Sequence, residues 1–152
     1  MKLFQDLNID IQQNIKEIDY YGYTKIENFL TSEGKSHLLN LINQKYDEIN
    51  SNGKMKYKGV PARNANDKIV YSIYNINHCF IEVLTSSVIR EIAMYKLNDE
   101  YYRFLPNNVP NYILSYYNAR SSGNKLDLHI DSIIPFPGSQ KTNAIQVAIL
   151  LE

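Results

Sequence analysis

From residue 126 the chain alternates apolar and polar side chains. Leu126, Leu128 and Ile130 fall on one face, and Asp127, His129 and Asp131 on the other. That alternation belongs to an extended strand with one side buried and one side wet, so this part of the chain must join a sheet. Residues 143–151 repeat it: Ile145, Val147, Ile149 and Leu151 share a face, opposite Ala144, Gln146, Ala148 and Leu150. Bulky apolar faces suit packing against helices, while small or polar faces suit the lining of a pocket.

Upstream, the spacing of apolar residues is helical. Ile11, Ile15 and Ile18 predict a first helix ending before Tyr21-Gly22, and residues 23–26 read as a short strand. Thr31 or Ser32 is placed to cap a second helix, with Glu33 in its first turn, where negative charge is favoured. Leu38, Leu39, Ile42, Tyr46 and Ile49 lie along one face of that helix, which is expected to end around residues 50–53. Residues 59–67 read as a loop and residues 69–74 as a strand. One further helical stretch runs through Phe80, Val83, Leu84, Val88, Ile89, Ile92 and Ala93. Asn107-Asn108-Val109-Pro110 breaks the helical texture. Residues 112–119 are an aromatic-rich strand, and Ser121-Ser122-Gly123-Asn124 has turn chemistry. Helices first and strands last predict an α+β fold, as a single domain over residues 1–152 with a helical part at about 1–108 and a β part at about 109–152.

Composition narrows the function. Lysine plus arginine and aspartate plus glutamate both total 16, so no charge excess argues for nucleic acid or an anionic membrane. The longest apolar stretch, residues 144–151, is far too short to span a bilayer, and the N-terminus has no secretory pattern. A lone cysteine, Cys79, excludes an internal disulfide framework and fits a reducing compartment, so the cytoplasm is the expected location. Gly-x-Ser-x-Gly, the phosphate-cradling Gly-x-x-x-x-Gly-Lys and Cys-x-x-Cys are all absent. The expected partner is a small-molecule substrate; the oligomeric state stays open.

His129-Ile130-Asp131 carries the chemistry. Two positions apart on a strand, the imidazole and the carboxylate point the same way. They suit two of the three ligands in the facial arrangement of non-haem Fe(II) oxygenases. The bland alternative is a strand with polar residues on its wet side. Tyr116 and Asn118 share a face on the preceding strand, and Gln146 points to the polar side of the last one. Each is placed to donate a hydrogen bond to a bound co-substrate, or is an ordinary polar residue of a sheet. His37 and His78 read as a helix-flank and a capping-region residue, Arg120 as solvent-exposed, and the 59–68 loop with Arg63 and Lys68 as solvated or as a cover over substrate.

Gly22-Tyr23-Thr24-Lys25-Ile26-Glu27-Asn28-Phe29-Leu30, followed by a capped helix, resembles the start of a phytanoyl-CoA dioxygenase family domain. Leu126-Asp127-Leu128-His129-Ile130-Asp131-Ser132 resembles that family's iron-binding strand, and residues 143–152 the strand after it. The resemblance implies N-terminal helices packed on part of a double-stranded β-helix of jelly-roll or cupin-like form. It implies an enzyme that binds Fe(II) and 2-oxoglutarate and hydroxylates a small organic or lipid-like substrate, with His129 and Asp131 as the first two iron ligands. The family's distal histidine and the basic residue that pairs with 2-oxoglutarate would lie beyond Glu152. The chain is therefore expected to be a truncated, N-terminal portion of such a domain, ending on an open apolar edge. The alternative expectation is a non-catalytic, truncated or degenerate relative acting as a binding or interaction module.

Overall fold

The computed structural model describes residues 2–6, 8–51, 56–57, 60–61, 68–97, 114, 117–121 and 144–151. They form an α+β arrangement of four helices and two antiparallel strand pairs. None of the described helices is long and apolar enough to cross a membrane.

Helix α1 (Ile11–Tyr21) begins at Asp10, whose carboxylate accepts from the Gln13 N–H at 3.0 Å, satisfying one of the orphan amides of the first turn. It stops at Gly22, in the left-handed region at φ 80°, whose N–H donates to the Ile18 carbonyl at 2.9 Å. Glycine enters that region without the steric penalty of a Cβ.

Helix α2 (Ser32–Ser51) is capped by Thr31, whose hydroxyl accepts from the Gly34 N–H at 2.8 Å. The same hydroxyl donates to the Lys2 carbonyl at 2.6 Å. The N-terminal segment is thereby strapped to the start of α2. Phe4 and Leu30 form an antiparallel bridge, the Thr31 N–H donates to the Leu3 carbonyl at 2.9 Å, and Leu3 is buried.

Strands β1 (Lys56–Tyr57) and β2 (Val60–Pro61) pair with each other, with Tyr57 opposite Val60. Strand β3 (Lys68–Val70) pairs with β4 (Ala119–Ser121), with Ile69 opposite Arg120. Between them lie a 3-10 turn (Ile73–Asn75) and helices α3 (His78–Leu84) and α4 (Ser87–Leu97).

Several expectations change. Residues 23–26 form no ladder: the Thr24 hydroxyl donates to Glu17 at 2.5 Å and accepts from Asn14 at 2.8 Å, which holds the segment on α1. The strand expected at residues 69–74 ends at Val70. Ser72 takes a left-handed conformation (φ 54°), which breaks the ladder and admits the 3-10 turn. Val60–Pro61, expected within a loop, is strand β2. The single helical stretch from Phe80 to Ala93 is two helices. The Thr85 hydroxyl and N–H both donate to the Ile81 carbonyl at 2.8 Å, closing α3, and the Ser86 carbonyl accepts from the Arg90 N–H at 2.9 Å, opening α4. Strands β1 to β3 fall between α2 and α3, so helices and strands are interleaved rather than segregated at about residue 108. A double-stranded β-helix is not seen among the described residues. The strand expected at residues 126–130 and the turn positions 122–124 lie outside them.

The core sits where α2, α3 and β3 meet. Leu38, Phe80 and Val83 are the most deeply enclosed side chains, joined by Leu3, Leu30, Val70, Ile73 and Cys79. Burying a side chain of this kind stabilises the fold by roughly 1.5–3 kcal/mol. A second cluster, Ile15 with Val88 and Ile92, holds α1 on α4, and Phe29 packs against both clusters. Residues 144–151 form no ladder among the described residues, yet they keep the alternation. Ile145, Ile149 and Leu151 are half-buried, while Ala144, Gln146, Ala148 and Leu150 are exposed. Val147 is the exception at 48% exposure.

Candidate functional site

Of the five residues singled out for metal or co-substrate, His129, Asp131 and Tyr116 lie outside the described residues. Asn118 and Gln146 are described, and both are exposed. Asn118 precedes β4, and its Oδ1 accepts from the Ser72 N–H at 3.0 Å. That oxygen therefore braces the left-handed residue that ends β3. Gln146 lies on the exposed side of residues 144–151. Among the described residues no three histidine, cysteine, aspartate or glutamate side chains converge as metal ligands would.

The other cations and imidazoles are placed as follows. His37 is half-buried on α2, and His78 opens α3 with its Nε2 3.9 Å from Glu82. Arg120 is exposed on β4. Arg63 lies outside the described residues, and Lys68 begins β3.

One chemically distinctive pair is internal. Tyr117 lies edge-on to Phe80, ring centroids 6.3 Å apart, and its carbonyl accepts from the Ile73 N–H at 2.9 Å. Burial, and secondarily the charge of a Cys79 thiolate, push the Tyr117 hydroxyl up to about 12. Burial likewise raises the Cys79 thiol, with Glu82 adding to it. A thiol held protonated inside a core is not a nucleophile at neutral pH. Both groups act as packing residues.

Two hollows remain. An open groove of about 290 Å³ runs beside the start of α1 between Asp10, Gln13 and Lys25. Lys25 and Glu27 pair across 2.7 Å at its rim; their hydrogen bond, reinforced by charge, raises the lysine and lowers the carboxylate. A more enclosed cavity of about 240 Å³ lies between the N-terminal strap and the start of α4. Its walls are Phe4, Ile9, Phe29 and Val88, with Gln5, Ser86 and Ser87 supplying polar atoms. The Ser86 hydroxyl is buried and has no hydrogen-bond partner among the described residues. Such a group costs about 1–3 kcal/mol. Ser86, at the cap position just before α4, is the sequence signal of a helix start, hidden by the apolar spacing that continues across it.

No protein-family model, curated protein or solved structure matches the chain.

Proposed function

We propose that the chain belongs to an Fe(II)- and 2-oxoglutarate-dependent oxygenase that hydroxylates a small organic or lipid-like substrate. The observation that carries the reading is His129-Ile130-Asp131 at alternating positions of a strand-like segment. An imidazole and a carboxylate form a donor set suited to a divalent ion of intermediate hardness. Bound there, Fe(II) would supply the redox chemistry that activates oxygen against 2-oxoglutarate. The chain's own part is to hold the ion through His129 and Asp131. Gln146, exposed on residues 144–151, is left accessible to a co-substrate, whereas Asn118 has its carbonyl oxygen engaged with Ser72. Helices packed against antiparallel strands, with an apolar side turned to the core at Ile149 and Leu151, fit the α+β class this reading needs; the double-stranded β-helix is part of the proposal. A third ligand and a basic residue for 2-oxoglutarate are further requirements of the proposal.

Anaerobic addition of Fe(II) and then 2-oxoglutarate tests it. The expected result is a visible charge-transfer band that His129→Ala abolishes. A band unchanged in His129→Ala removes that residue from the site. Failure of the wild-type protein to bind Fe(II) leaves the non-catalytic binding module as the better reading.

A further inference from the structure

We infer that the N-terminal strap and the first turn of α2 form one latch, which opens and closes as a unit with Thr31 as its coupling residue. Thr31 belongs to both halves. Its N–H donates to the Leu3 carbonyl at 2.9 Å and its hydroxyl to the Lys2 carbonyl at 2.6 Å, which fastens the strap. The same hydroxyl accepts from the Gly34 N–H at 2.8 Å, and the Thr31 carbonyl accepts from the Lys35 N–H at 2.9 Å, which starts α2. A hydroxyl has a single proton to give, and giving it to Lys2 fixes the rotamer that turns its lone pair onto Gly34. With the strap away, the hydroxyl regains rotamers that leave the Gly34 N–H without its acceptor. Loss of the strap therefore weakens the cap. Loss of the cap weakens the strap by the same factor, because coupling between two equilibria is reciprocal.

The strap is held in a way that lets it move separately from the core. Of its residues only Leu3 is buried; Phe4 is half-buried, and Lys2, Gln5 and Asp6 are exposed. Among the described residues its backbone bonds reach only residues 29–31, where the Gln5 N–H donates to the Phe29 carbonyl at 3.2 Å and Phe4 bridges Leu30. On its other flank the hollow of about 240 Å³ lies between Phe4 and Gln5 and the start of α4, so that side supplies little packing. A segment with few buried apolar contacts opens at low free energy while the rest stays folded. Gly34 keeps the closed state accessible, since the Leu3 carbonyl oxygen stands where a larger residue would put its Cβ. Opening bares Leu30, the Phe29 carbonyl and the Thr31 N–H together, and it loosens the start of a 20-residue helix. The latch does not depend on the oxygenase reading.

Native-state hydrogen exchange, followed in amide spectra of the full chain, tests this. In the wild-type protein Gln5, Thr31 and Gly34 are expected to open with one equilibrium constant, agreeing within about threefold. They should be at least about a hundredfold less protected than Ile73, whose N–H donates to the Tyr117 carbonyl in the core. Phe4→Ala should speed exchange at Gln5 by about tenfold and, through the latch, at Gly34 by about the same factor. Thr31→Val, which lacks the hydroxyl, should speed exchange at Gln5 by about tenfold, whereas Thr31→Ser, which keeps it, should stay within about twofold of wild type. Unequal opening of the three amides, strap amides as protected as Ile73, a Gly34 rate unchanged in Phe4→Ala, or a Gln5 rate unchanged in Thr31→Val would each overturn the proposal. The wild-type arm compares strap and helix amides without any substitution, so the answer survives a variant that folds poorly.

Discussion

Gly34 sits so close to Leu3 that a Cβ built on the glycine would lie 2.6 Å from the Leu3 carbonyl oxygen. The obstructing atom is backbone, held in place because the same carbonyl accepts from the Thr31 N–H at 2.9 Å. The N-terminal strap and the first turn of α2 are therefore fitted to each other through a position with no side chain.

Gly34→Ala should destabilise the protein by about 1–2 kcal/mol, overpacking at the strap outweighing the gain of about 1 kcal/mol in helix propensity. In a variant lacking residues 2–5 the penalty should shrink by at least about half, because the backbone obstruction is gone and only the Thr31 hydroxyl, 3.0 Å from the added Cβ, opposes the propensity gain. Urea melts of the four proteins measure both effects. An undiminished penalty in the shortened protein would place the clash elsewhere.

Stability at high pH should report on Tyr117. Its hydroxyl moves from an ordinary value of 10.0 to about 12 on folding, chiefly through burial. The folded state thus keeps a proton that the unfolded chain has lost, and the stability this represents is complete below pH 10 and disappears as pH rises through about 12. Tyr117→Phe should flatten that decline. Denaturation midpoints at successive pH values, compared with wild type, provide the check; identical slopes would contradict it.

Cys79 should resist alkylation. It is 5% exposed and its thiol is raised by burial and by Glu82. At pH 8, iodoacetamide should modify the folded protein about a hundredfold more slowly than the urea-unfolded chain, with the rate rising in step with opening of the core. Equal rates would mean that the core around Leu38 and Ile73 does not cover the thiol.

Lys96 on α4 is ion-paired with Asp19 on α1, and its side chain is only 15% exposed. A double-mutant cycle with Lys96→Met and Asp19→Asn should give a coupling of about 0.5–1 kcal/mol that shrinks in 1 M salt. Zero coupling at low salt would leave the Ile15–Val88–Ile92 cluster as what holds the two helices together.

What was legible in the sequence was what depends on local spacing. The period of Ile11, Ile15 and Ile18, the stop at Gly22, the cap at Thr31 and the two faces of residues 144–151 are each set within one turn or one strand. The strap was illegible because residues 2–5 are too few to show a period, and their partner lies at residues 29–31. The break between α3 and α4 was masked because Leu84 and Val88 are four residues apart, the spacing of one continuous helix. For the candidate site, the alternation of residues 126–131 predicts a shared face for His129 and Asp131, which lie outside the described residues; what Asn118 does depends on Ser72, 46 residues away. No local pattern carries that.

The claim on which the functional reading turns is that His129 and Asp131 grip one divalent ion. Anomalous X-ray scattering from crystals grown anaerobically with Fe(II) measures it directly. The account predicts a single strong peak within coordination distance of both the His129 imidazole and the Asp131 carboxylate. A well-ordered His129 and Asp131 with no peak between them, or a peak bound elsewhere, would contradict it.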